Sequence, residues 1–232
     1  MIGLAAKTSR ALRYGDALLH IEQAQPTIAE IRRALILATL ATAFYGAVMG
    51  SYGRIEGAAG RQIVYSAIKT PLLLGATFAL TLPSFVVINS LLGLRKDLPA
   101  ALSAIVASQA VVAIALASLA PVTMIWYLTV RDYNVAILFN AAVFAAASVA
   151  GQRALRVRYA SLIEQNPAHR WLLRVWIGVY AFVGIQSGWV MRPFVGKLGM
   201  PAEFLRPEKW DNAYVIVGRI IWNVLSGHQL SR

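Results

Sequence analysis

The chain has 232 residues, of which 58% are hydrophobic and only 14% are charged. Soluble globular domains carry about 25% charged residues, so this composition excludes an ordinary water-soluble protein. The formal net charge is +12. Because the basic residues are spread over every polar segment and no nucleic-acid-binding motif is present, this charge indicates contact with anionic lipid headgroups and not with a nucleic acid.

The first predicted element is an amphipathic segment, residues 1–26. Its apolar positions, set among basic residues, are Leu12, Leu18, Leu19 and Ile21. This pattern is typical of a helix that lies at a membrane surface, and it also fits a solvated helix that packs on its neighbours. Thr27 and Glu30 match a capping box that opens a new helix. We therefore predict an N-terminal amphipathic segment at 1–26 and a transmembrane domain at 27–232.

Five stretches of the second region contain no Asp, Glu, Lys or Arg. They are residues 34–53, 70–94, 98–130, 133–152 and 175–191. A helix needs about 17 to 25 apolar residues to cross a bilayer, and a charged side chain at the bilayer centre costs about 2.5 to 3.5 kcal/mol. Helices also pair their own backbone groups, as hydrocarbon requires. The sequence therefore predicts an all-α, polytopic transmembrane bundle with at least five spans.

A sixth hydrophobic stretch, residues 213–225, is shorter and carries Arg219 near its middle. It could cross the membrane, enter and leave on one side, or lie at the interface, so we predict five to six spans. The third stretch, 98–130, would be about 45 Å long as a helix, which exceeds the hydrocarbon thickness. We expect it to tilt, to kink near Pro121, or to project from the membrane.

Basic residues next to the spans favour a cytoplasmic N-terminus, because the segments that would then face the cytoplasm carry most of them. The chemistry available within the spans is narrow. The chain has no cysteine, which excludes disulfides and thiolate sites. Its histidines all lie outside the charge-free stretches: His20, His169 and His228. Their spacing matches no metal site, so we predict neither a metal nor a cofactor. Catalysis would need an interfacial pocket that joins Arg131, Asp132 and Arg192.

Four amide side chains lie in four different predicted spans: Asn89, Gln109, Asn140 and Gln186. Such groups either form hydrogen bonds between helices or line a polar path through the membrane. Convergence on one water-accessible cavity would favour the path, whereas pairing between packed helices would favour a role in packing. Pro71, Pro83 and Pro121 could break helices around such a path.

Small residues at four-residue spacing indicate close helix contacts. Gly46 and Gly50 form one GxxxG step, and Gly184 and Gly188 form another. We expect these glycines to pack helices within the chain, and a seam between copies of the chain is the alternative.

Two stretches resemble segments of uncharacterised bacterial multi-pass membrane proteins. They are residues 65–74, YSAIKTPLLL, and residues 188–196, GWVMRPFVG. The likeness covers roughly Gly46 to Trp222. It implies a helical protein of the bacterial cytoplasmic membrane and no particular activity.

The same two stretches contain candidate anchors for lipid headgroups or a partner. Lys69 stands at a span entrance, where its ammonium group can extend to the headgroups. Trp189, Arg192 and Phe194 stand at a span exit, and Arg219 is a further candidate.

The function that fits these patterns best is a non-catalytic structural or accessory subunit. We predict that it binds membrane lipids and either partner transmembrane helices or further copies of itself, with no nucleic acid. A channel or facilitator with a neutral polar path is the first alternative, and an interfacial membrane enzyme is the second.

Overall fold

A computed structural model describes residues 28–52, 59–130, 132–196, 203–205 and 222. The helices in these ranges are α1 (Ile28–Gly50), α2 (Ala59–Leu91), α3 (Leu98–Thr129), α4 (Tyr133–Gln165) and α5 (Ala168–Val190), with a 3-10 turn at Arg95–Asp97. None of the described residues belongs to a strand, so the all-α prediction is confirmed for them. The predicted surface segment 1–26, Arg219 and most of 213–225 lie outside the described residues.

Four segments are long and apolar enough to cross a membrane: Arg32–Gly50, Gly60–Leu91, Arg95–Thr129 and Tyr133–Gln165. They correspond to the first four charge-free stretches of the sequence. The fifth stretch forms most of α5. This helix carries Arg170 and Arg174 before the stretch and Gln186 within it, and it is not among the four segments. Four helices that could span a membrane are therefore confirmed, whereas the predicted fifth and sixth spans are not.

The prolines do not interrupt their helices, in keeping with the tolerance of membrane helices for proline. α2 runs without interruption through Pro71 and Pro83, and α3 runs through Pro121. At 1.5 Å per residue, helices of this length extend about 50 Å, which exceeds a hydrocarbon core of about 30 Å. Their ends therefore reach into the headgroup region or beyond it if the helices cross a bilayer.

The chain divides into two units, Met1–Leu37 and Ala38–Arg232, with the boundary inside α1. In the second unit, residues 38–50 of α1 pack on the start of α2. A Cβ atom at Gly46 would overlap the backbone carbonyl oxygen of Ser66, and a Cβ at Gly50 would lie 2.7 Å from that of Gln62. Only glycine lets these two helices approach so closely.

The other helices of the second unit form two closely packed pairs, α3 with α4 and α2 with α5. A Cβ at Gly151 of α4 would overlap the Val112 side chain of α3, a contact that sequence analysis missed because Gly151 has no glycine partner at four-residue spacing. Gly184 and Gly188 of α5 face Thr77 and Leu73 of α2. The distances from a Cβ at these glycines, 3.4 Å and 4.0 Å, are ordinary van der Waals contacts.

The second unit has a basic end and an aromatic end. The basic end consists of the Arg95–Asp97 turn and the α4–α5 connection, which meet where His169 Nε2 lies 3.0 Å from Asp97 Oδ2. Its exposed basic side chains are Arg95, Lys96, Arg153, Arg156, Arg170 and Arg174. The aromatic end consists of residues 51–52, the start of α2, residues 130–133 and the loop 191–196. There the rings of Tyr52 and Tyr127 lie 4.9 Å apart.

The close contact of α1 with α2 predicts opposite outcomes for two glycines. We expect Gly46→Ala to lower the free energy of unfolding by about 1 to 3 kcal/mol, because the added methyl group meets rigid backbone. At Gly75 of α2 a Cβ atom would meet nothing within 4 Å, so Gly75→Ala should be neutral or stabilising by up to about 1 kcal/mol. Thermal unfolding in detergent measures both variants. Equal responses would contradict the packing described here.

Candidate functional site

The buried face of α2 is mostly polar and its exposed face is apolar. Seven polar side chains of the buried face are at most 4% exposed: Gln62, Ser66, Lys69, Thr70, Thr77, Thr81 and Asn89. Large apolar side chains on the opposite face are 47% to 81% exposed: Val64, Ile68, Leu72, Leu80, Val87 and Leu91. A surface helix of a soluble protein has the reverse arrangement. We call the seven buried residues the polar face of α2.

The threonines in the middle of the polar face are satisfied by their own helix. Thr70 Oγ1 donates to the Ser66 carbonyl oxygen at 2.9 Å, and Thr77 Oγ1 donates to that of Leu73 at 2.7 Å. Thr81 Oγ1 donates to the Thr77 carbonyl oxygen at 2.8 Å. Hydroxyl groups bonded in this way can be buried in lipid without an external partner.

Lys69 does not extend to headgroups as the sequence analysis expected, because its side chain is only 1% exposed. Its Nζ donates to the Pro193 carbonyl oxygen at 2.8 Å and lies 5.0 Å from the centre of the Phe204 ring. A buried ammonium group needs such partners, and a carbonyl oxygen and an aromatic face both attract positive charge. Lys69 therefore binds the chain that follows α5.

Two neighbours of Lys69 bind the same loop. Gln62 Nε2 donates to the carbonyl oxygens of Pro193 at 3.2 Å and Phe194 at 3.1 Å, and the Ser66 hydroxyl also donates to the Phe194 carbonyl oxygen. We call these five residues, Gln62, Ser66, Lys69, Pro193 and Phe194, the Lys69 cluster. Sequence analysis missed Gln62 and Ser66, although their four-residue spacing, continued by Thr70, was a signal that they share a helix face.

The other candidates at this end contact the protein itself. The Arg192 guanidinium group lies 3.6 Å from the centre of the Trp189 ring, and both side chains are half-buried. Asp132 Oδ1 accepts hydrogen bonds from the backbone N–H of Asn134 and Val135 and so caps α4. Arg131 lies outside the described residues. The carboxylate of Asp132 thus has a structural role at the start of a helix.

Burial also raises the pKa of the Tyr52 phenol at the aromatic end, and the Asp132 carboxylate adds to this increase. Both effects disfavour the negatively charged phenolate. Tyr52 therefore stays a neutral phenol at physiological pH.

Asn140 joins three helices near the aromatic end. Its Oδ1 accepts a hydrogen bond from Tyr45 Oη of α1 at 2.9 Å, and its Nδ2 donates to Tyr127 Oη of α3. The same Nδ2 donates to the Ala136 carbonyl oxygen of its own helix at 2.7 Å. The amide thus serves as a contact between packed helices.

Two further amides are placed elsewhere in the second unit. Tyr180 Oη of α5 donates to Gln109 Oε1 of α3 at 2.7 Å. Gln186 is half-buried and forms no hydrogen bond with the described residues. Asn140 and Gln109 therefore belong to separate contacts, and the predicted polar side chains do not form one network among the residues described.

A second buried cluster lies beneath the basic end and was not predicted from the sequence. We call Asn89, Asp97, Tyr159, His169 and Trp176 the His169 cluster. The rings of His169 and Tyr159 lie 5.6 Å apart, and His169 Nε2 faces the Asp97 carboxylate. Both amide atoms of Asn89, the Tyr159 hydroxyl, His169 Nδ1 and Trp176 Nε1 have no hydrogen-bond partner in the described part of the chain.

These unpaired atoms are energetically important, since the four residues that carry them are fully buried. Each buried polar atom left unpaired costs about 1 to 3 kcal/mol. Five such atoms together cost about as much as the entire stability of a typical domain, roughly 5 to 15 kcal/mol. The available signal in the sequence was the repeat of His169, Leu172, Leu173, Trp176 and Tyr180 on one face of α5. The cluster lacks the three or more His, Cys, Asp or Glu residues of a metal site, as does the rest of the described chain.

The bond between Gln109 and Tyr180 predicts a measurable coupling of α3 and α5. In a double-mutant cycle of Gln109→Leu and Tyr180→Phe, we expect a coupling free energy of about 0.6 kcal/mol and at most about 1.7 kcal/mol, the average and the maximum found for interhelical hydrogen bonds in a membrane protein. Tyr180→Phe combined with Asn140→Leu is the control and should be additive within about 0.5 kcal/mol. Unfolding in mixed micelles measures both cycles. Zero coupling in the first cycle would contradict the contact.

No protein-family model matches the chain, and no curated protein or solved structure is similar to it at a significant level.

Proposed function

We propose that the chain is an integral protein of the bacterial cytoplasmic membrane and serves there as a non-catalytic structural or accessory subunit that binds lipids and partner transmembrane helices. The observation that carries this proposal is the inverted polarity of α2, which buries its polar face and exposes Val64, Leu80 and Leu91 among others. An apolar surrounding, such as lipid acyl chains, makes that arrangement favourable.

The magnitude of the effect supports lipid as the surrounding solvent. Leaving a large aliphatic side chain in water forgoes about 1.5 to 3 kcal/mol relative to its burial. α2 alone exposes six such side chains by about half or more, with Leu91 the most exposed at 81%. Acyl chains, or the apolar face of a partner helix, would cover them at little free-energy cost.

The use of the polar side chains supports a role without catalysis. The Lys69 cluster binds loop carbonyl oxygens, the threonines bond to their own helix, and Asp132 caps α4. These groups are engaged in holding the fold. The same contacts disfavour a neutral polar path, because Asn140 and Gln109 bond across helix contacts instead of facing a common pore. No contact among the described residues favours the interfacial enzyme.

The proposal includes a topology. The basic end faces the cytoplasm, since basic residues collect on that side of the membrane, and the N-terminus is cytoplasmic. α5 is the fifth span, residues 213–225 form a sixth apolar element, and residues 1–26 lie on the cytoplasmic surface. Arg219 would then contact headgroups or a partner.

The absence of native cysteine makes this topology directly testable. We expect a membrane-impermeant maleimide to label Arg61→Cys, near the aromatic end, from outside intact cells. Lys96→Cys and Arg170→Cys, at the basic end, should be labelled only after the membrane is opened. All three native side chains are exposed, so a difference in labelling reports the side of the membrane and not burial in the protein. The reverse pattern would overturn the orientation, and labelling of all three from outside would overturn the crossing.

The subunit role predicts an assembly that survives gentle extraction. Native mass spectrometry of the full chain from a mild detergent should show a species heavier than one chain, with bound lipid or further polypeptides. A stronger detergent should release the single chain as the control. A lone chain without lipid under mild conditions would contradict the proposed role.

A further inference from the structure

The unpaired atoms of the His169 cluster belong to buried side chains in or beside one apolar core beneath the basic end. Asn89 stands on α2 between Phe85 and Leu94, both buried members of the core that also contains Tyr159 and Trp176. The Phe85 ring lies 5.8 Å from that of Trp176. Residues of α2, α4 and α5 thus each bury unpaired polar atoms in or beside this core.

The hydrogen-bonding character of these atoms is mixed. Trp176 Nε1 and Asn89 Nδ2 are donors, Asn89 Oδ1 is an acceptor, and the Tyr159 hydroxyl is both. His169 Nε2 lies 3.0 Å from the Asp97 carboxylate and so carries a proton toward it. In the neutral ring, Nδ1 is then an acceptor.

Because both donors and acceptors are present, these atoms favour a neutral ligand over an ion. An anion would satisfy the donors of Trp176 and Asn89 but would oppose the lone pairs of Asn89 Oδ1 and, in the neutral ring, of His169 Nδ1. A cation would satisfy the acceptors and oppose the N–H groups. A neutral group that both donates and accepts satisfies all of them, and among such ligands water is the smallest and fits between packed helices most readily.

We propose that the His169 cluster is an internal hydration site, in which water molecules bridge Asn89, Tyr159, His169 and Trp176. Water enters from the basic end beside Asp97, whose side chain is 32% exposed. Further along the same face of α2, the Phe85 ring lies 5.8 Å from that of Trp176, and Thr81 bonds to its own helix. We expect the water to end at these residues and not to continue through the membrane.

Water-edited solid-state NMR of the full chain in lipid bilayers tests the proposal. With 15N-labelled tryptophan, we expect magnetisation transfer from water to the Trp176 indole N–H, identified by loss of its signal in Trp176→Phe. Asn89→Leu should reduce this transfer at least twofold, whereas Thr81→Val, a matched change on the same helix face beyond Phe85, should leave it intact. Absence of transfer to Trp176 in the unmodified protein would overturn the proposal, whether or not a variant folds.

Thermal unfolding provides a second test, in which the direction of the Tm change of Asn89→Leu decides between a hydrated and a dry cluster. If water bridges the cluster, Asn89→Leu leaves that water with fewer partners and should lower the Tm by roughly 3 °C. If the cluster is dry, the same change removes two unpaired atoms and should raise the Tm, which would overturn the proposal. Thr81→Val is again the control, with a smaller shift. The inference does not rest on the subunit role, because a lone chain in native mass spectrometry would leave both measurements unaffected.

Discussion

The constraint on which this fold depends is that a polar group removed from water must find its partner inside the protein. In hydrocarbon neither solvent nor lipid tails supply one. Except at Asn89, α2 meets the constraint by turning its polar side chains inward, where carbonyl oxygens of its own helix and of the loop after α5 accept their hydrogen bonds. The same constraint leaves the outward side of α2 apolar, since lipid contact there requires no hydrogen bonds.

α2 also connects the two ends of the second unit through different chemistry. At the aromatic end, the Lys69 cluster binds the backbone of the loop that follows α5, so a positive charge is held by carbonyl oxygens and aromatic rings. Toward the basic end, Asn89 joins the His169 cluster, where partners within the described chain are lacking. Between them, the threonines make the helix self-sufficient. One helix therefore combines an end and a middle whose polar side chains bond to the protein with an end, at Asn89, whose amide has no partner in the described chain.

Helix association in this protein uses both close approach and a few polar bonds. Gly46, Gly50 and Gly151 bring backbones close enough for many weak dispersion contacts, which drive association where the hydrophobic effect is absent. Asn140 and Gln109 add directional bonds between helices, each of modest energy. These bonds fix the rotation of the helices about their axes, because a shift by one residue would leave an amide facing lipid.

The amino-acid sequence by itself determined the helical class and the approximate limits of four long apolar helices that could span a membrane. Charge avoidance and backbone pairing in lipid are local requirements that are visible as uninterrupted apolar stretches. The sequence also indicated that Gly46 and Gly50 pack helices together. Tertiary structure decided which polar groups meet. Lys69 was expected to anchor headgroups because it directly precedes the charge-free stretch 70–94. In the structure, Pro193 and Phe204, which lie more than 120 residues away in the chain, contact its ammonium group. Likewise, the His169 cluster draws on three helices and a turn, and partners so distant in sequence leave no local pattern.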